Sequence, residues 1–99
     1  MNLVQALIKR TLETLPVIPE SELRDRTKRF PAVHVARIKV NYPLSGIETK
    51  AGFVFGTNKD RTALYLSRDA VGDENNFCNL GEPFILTEYL TSYEILKPL

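Results

Sequence analysis

The apolar residues of this chain change their repeat once, and that change limits the fold more than any motif does. Leu3, Val4, Leu7, Ile8, Leu12 and Leu15 recur at mostly three- and four-residue steps, the spacing that lines one stripe of an α-helix. From Val33 to Tyr42 the period shortens to two. Ala36, Ile38, Val40 and Tyr42 alternate with Val35, Arg37, Lys39 and Asn41, the mark of a half-buried strand with a basic outer face. A helix this short is marginal in water by itself, so its leucine stripe must lie against a sheet, another helix or a partner. The expectation is an α+β domain spanning residues 1–99: a helix over 1–15, a charged connector over 16–32, and a mainly β segment over 33–99.

Local signals place the boundaries. Asn2 is an N-cap for the helix, and Pro16 ends it by removing an amide donor and pushing Leu15 out of the α region. Thr11 falls on the apolar stripe, where its hydroxyl can bond a carbonyl one turn back. Residues 20–29 hold only Leu23 as a clear apolar anchor. They are expected as a solvated loop or a short exposed helix with Pro19 at its first position, Ser21 being the alternative cap. Pro43 and Ser45-Gly46 mark a turn, Ile47 to Phe55 a second strand in which Gly52 allows a bulge or close approach, and Gly56 to Asp60 a hairpin loop. Thr62 to Ser67 supplies the third strand of an antiparallel meander. Residues 68–83 carry no periodicity and read as one long loop, pinned by Phe77. In the last segment Leu86, Tyr89, Leu90, Tyr93 and Leu96 fit a helix while the Thr, Tyr, Ile and Phe content suits strands; the favoured expectation is a strand over 84–90, a turn at Thr91-Ser92 and a short final strand. The whole is a helix on a curved antiparallel sheet or small β-barrel of four to five strands.

Composition then narrows the function. With 43% hydrophobic and 25% charged residues, the chain belongs with ordinary globular proteins. No apolar run approaches the roughly 20 residues of a membrane span. Lys9 and Arg10 fall inside the first apolar segment, which does not suit an export signal. Cys78 is the one cysteine, so neither an intrachain disulfide nor a thiolate metal cage can form, and a reducing, cytoplasmic setting fits. The charges are segregated. Residues 1–40 carry eight Lys or Arg against four Asp or Glu, whereas residues 69–99 carry one against six. The front of the chain is basic and the back acidic.

The basic stretch Arg24, Arg26, Lys28 and Arg29, with Arg37 and Lys39 on the polar face of the following strand, is the candidate functional surface. Converging cations can meet an acidic patch on a protein, or neutralise phosphates. Single-strand recognition would add aromatic platforms, and on this side only Phe30 and Tyr42 are available. His34 and Cys78 invite a Cys-His nucleophile with Asp73, Asn75 or Asn76 as orienter, but that chemistry requires a proximity the sequence does not display. Asp69, Asp73 and Glu74 lack the alternating spacing of a calcium loop. No phosphate-cradling glycine loop, dinucleotide fingerprint or metal-site histidine pair occurs, so no cofactor or metal is implied. The apolar area of the helix stripe with Phe53, Phe55, Leu64, Leu66, Phe84, Ile85, Tyr89 and Tyr93 is large for so few strands, and a homodimer is one way to cover it. The expected function is non-enzymatic: a protein-binding, regulatory or accessory module of the kind viruses also encode, acting on an acidic partner. Nucleic-acid binding through residues 24–39 is the alternative, and a Cys-His hydrolase the third.

Overall fold

The computed structural model describes residues 2–25, 27–67 and 84–99. Helix α1 spans Leu3–Glu13. The Asn2 side chain accepts the Gln5 amide at 2.8 Å and the Gln5 side chain accepts the Asn2 amide at 3.3 Å, a reciprocal cap that satisfies two otherwise orphaned donors. Thr11 donates its hydroxyl to the Leu7 carbonyl at 3.0 Å, the local bond its place on the stripe calls for. A four-residue helix, α2, follows at Glu20–Leu23, with Pro19 as N-cap rather than first helical residue and Ser21 inside the turn.

Five strands make one open antiparallel sheet, which is curved rather than closed into a barrel. They are β1 (His34–Tyr42), β2 (Gly46–Thr57), β3 (Ala63–Ser67), β4 (Phe84–Leu86) and β5 (Leu90–Pro98), in the order β4-β3-β2-β1-β5. Strand β4 pairs antiparallel with β3, and the meander of β1 to β3 is as the alternation predicts. The last segment is not: a 3₁₀ turn at Thr87–Tyr89 ends β4 early, and the chain then returns as a nine-residue strand on the far side of β1. The expected turn at Thr91-Ser92 is instead strand. The β1–β5 register slips between Lys39 and Val40, leaving Thr91 without a paired residue on β1. The bulge in β2 also differs from expectation. Gly52 pairs in register with Ala36, and the irregularity falls between Val54 and Gly56.

The alternation of β1 divides the core in two. Ala36, Ile38 and Val40, with Val54, Leu64, Leu66, Ile85 and Leu90, meet Ile8, Leu12 and Leu15 of the helical segment on one side of the sheet. On the other side Phe55, Ala63 and Tyr65 meet Ile18 and Phe30, with Leu23, Ala32 and Phe53 packed against them. The connector expected as solvated thus supplies a second core. It reaches that side because Thr57 donates its amide to Pro16 O and accepts the Ile18 amide, both at 2.9 Å, which turns the chain past the end of β2. In exchange α1 is only partly covered: Leu3, Val4 and Leu7 are exposed, while Ile8 and Leu12 are buried. Among the described residues no helix is long and apolar enough to cross a membrane.

Candidate binding face

The connector and β1 together build the side of the sheet opposite α1. Val35 pairs with Phe53, whose ring belongs to the second core, so Arg37 and Lys39, at the next alternate positions of β1, point to that same side. The connector is fastened there by Ile18, Leu23 and Phe30, which leaves Arg24, Lys28 and Arg29 exposed on its outer surface. Arg37 and Lys39 thus project from the face that the connector covers, and Arg24, Lys28 and Arg29 are exposed on the connector itself. Arg26 lies outside the described residues.

Their electrostatic states differ. Arg24 is held at 2.6 Å by Glu20, one helical turn back, and Arg37 at 3.4 Å by Glu94, its cross-strand neighbour on β5. All four side chains are at least half exposed, and pairs of that kind contribute at most about 1 kcal/mol. Lys28 follows Asp25, whose carboxyl accepts the Thr27 hydroxyl at 2.6 Å and the Thr27 amide at 2.9 Å. Those two bonds, with the Lys28 charge adding a smaller effect, hold the Asp25 carboxyl below its ordinary pKa. Arg29 and Lys39 make no ion pair among the described residues.

The two aromatic residues of this stretch point away from it. Phe30 is buried in the second core. Tyr42 packs against the first core and meets Tyr89 edge-on, ring centroids 5.8 Å apart. Neither can act as a stacking platform beside the cations. Between Arg37 and the β1–β2 turn, the exposed face carries Lys39, Asn41, Ile47, Thr49 and Ala51. At its other margin an open groove of about 520 Å³ runs between α2 and β4, floored by Ile18, Leu23, Tyr65 and Phe84 and rimmed by the Glu20–Arg24 pair.

His34 has a structural occupation. It is buried, its Nε2 lies 2.6 Å from the Tyr93 hydroxyl, and the two rings meet edge-on at 5.7 Å. Burial pushes the Tyr93 phenol well above its usual range and lowers the His34 pKa from 6.5. Tyr93 therefore stays protonated and His34 neutral, and the imidazole tautomer sets which of the two donates. The other members of the Cys-His idea, and the acidic loop residues Asp69, Asp73 and Glu74, lie outside the described residues, as do Phe77 and Cys78. Among the described residues no three His, Cys, Asp or Glu side chains gather where a metal could be held.

The buried imidazole predicts a pH dependence of a definite sign. At and above pH 6.5 most of the neutral form's stability is in place. As pH falls below that value the unfolded chain takes up its proton first, so folding stability declines until the lower pKa of the folded state is passed, then levels. Each pKa unit of depression is worth about 1.4 kcal/mol. Asp25 acts only below 3.8. Urea unfolding midpoints should therefore fall as pH drops below 6.5 in the wild type, and stay flat over the same range in His34→Gln, whose amide can still bond the Tyr93 hydroxyl. An equal decline in the variant would remove His34 as the cause.

No family model matches the chain, and neither a curated protein nor a solved structure resembles it significantly.

Proposed function

We propose that the chain is a binding module, regulatory or accessory in role, that docks its basic face on a protein with an acidic surface. One observation carries this: Arg37 and Lys39 project from the face of the sheet that the connector covers, Arg24, Lys28 and Arg29 of that connector are exposed, and Arg29 and Lys39 make no ion pair among the described residues. Unpaired surface charge of one sign steers a complementary partner and fixes its orientation. The inward-turned Phe30 and Tyr42 favour a protein over single-stranded nucleic acid, which is bound largely by stacking.

Polyglutamate serves as a minimal acidic partner. Arg29→Glu combined with Lys39→Glu should weaken its binding on the order of tenfold or more and leave thermal unfolding unchanged, since both side chains are exposed. Wild-type binding to a mixed-sequence oligonucleotide, falling steeply with salt while polyglutamate binding is absent, would replace this reading with the nucleic-acid one. Affinity capture from native extract with the two forms then identifies the partner.

A further inference from the structure

The β1–β2 hairpin closes through Pro43-Leu44-Ser45, with Gly46 at φ +78° returning the chain. Polar residues would satisfy such a turn, yet its central position is leucine. Leu44 is 102% exposed, and Ile47, one residue into β2, is 68% exposed. Ile47 pairs with Asn41, two positions along β1 from Lys39 on the same side of the sheet. The hairpin thus ends, beyond Lys39, in two exposed aliphatic side chains, Ile47 on the Lys39 side of the sheet and Leu44 in the turn. Single exposed leucines are common on protein surfaces, but here a leucine and an isoleucine stand together at the end of the hairpin that carries Lys39. Interfaces concentrate binding energy in a few apolar anchors that enter pockets, with charged residues around them.

We infer that Leu44 and Ile47 are the apolar anchor of the basic face, and that its partner is an acidic protein surface containing a shallow apolar recess. The inference rests on the function proposed above and makes it narrower. Lys39 and Arg29 supply attraction and orientation; the two aliphatic side chains supply the area removed from water. A rigid hairpin held by nine paired positions between β1 and β2 presents them with little ordering cost.

Two probes separate charge from apolar contact: polyglutamate, and a random copolymer of glutamate and tyrosine, whose rings offer apolar surface among carboxylates. Titration calorimetry on the wild-type chain should show the copolymer binding on the order of tenfold more tightly than polyglutamate at equal charge. Leu44→Ser combined with Ile47→Ser should abolish that preference and leave polyglutamate affinity unchanged. Arg29→Glu with Lys39→Glu should weaken both. Both sites are exposed, and circular dichroism checks that each variant folds. Equal affinity of the wild type for the two polymers would overturn the anchor while leaving the charge reading in place. Binding of neither would overturn both. A wild-type dimer that the Leu44/Ile47 variant dissolves would overturn the inference by giving the anchor to a second copy of the chain.

Discussion

Gly56→Ala should cost 3 kcal/mol or more, roughly a third of the stability of a domain this size. A β-carbon built at this position falls closer than 3.0 Å to the carbonyl oxygen of Pro16 and lies 3.2 and 3.3 Å from two carbons of Ile18. That oxygen cannot move aside, because it accepts the Thr57 amide while the Thr57 carbonyl accepts the Ile18 amide. Relief would require parting the connector from β2, which would unseat Ile18 from the second core. Gly46→Ala is the matched control. It has a left-handed φ of +78° but no atom within 4 Å of the new β-carbon, so it should cost only the conformational penalty, about 1 kcal/mol. Urea unfolding of the two variants reads the difference. Similar losses at both positions would mean that the Pro16 carbonyl does not abut β2.

The same contact marks where the sequence stopped being legible. Helix α1 and strand β1 could be read because their apolar residues repeat at the period of the element. The cap at Asn2 and the Thr11 bond follow from local chemistry alone. The connector obeys no period. Ile18, Leu23, Phe30 and Ala32 are irregularly spaced because each plugs a different place on the sheet, so the segment reads as charge with a stray leucine. The pairing of β5 with β1 is a long-range choice that propensity cannot rank, and a strand interrupted by Thr87–Tyr89 looks the same locally whether it turns back or crosses over. Gly52 reads as strand and Gly56 as the start of a hairpin loop, yet both belong to β2, and Pro16 closely approaches Gly56. The basic face was readable as composition. Which of its cations are free was not, since Glu94 reaches Arg37 only through the β1–β5 register.

Arg61 is the residue that composition conceals most fully, and its substitution should show the second large effect. An arginine at the edge of a loop reads as solvated charge, but this one has a left-handed φ of +61° and turns its guanidinium onto the end of the helical segment. Nη1 donates to Leu15 O and to Thr57 Oγ1, the latter at 2.9 Å, and Nη2 donates to Glu13 O at 3.3 Å. Its own carbonyl accepts the Thr87 hydroxyl at 2.8 Å. One side chain therefore caps α1, whose terminal carbonyls carry the negative end of the helix dipole, and ties it to the end of β2. The backbone is set by Asn58, whose Oδ1 accepts the Thr62 and Ala63 amides at 2.8 and 3.0 Å. Hydrogen bonds to a charged donor are worth about 1.5 to 3 kcal/mol, so Arg61→Ala should lose roughly 2 to 3 kcal/mol. Arg61→Gly removes the same guanidinium but suits the left-handed backbone, and should recover about 1 kcal/mol of that loss. The expected order of urea midpoints is wild type, then Arg61→Gly, then Arg61→Ala. A glycine variant no more stable than the alanine variant would show that Arg61 does not hold the left-handed conformation. Both variants equal to the wild type would show that the helix end does not depend on the guanidinium.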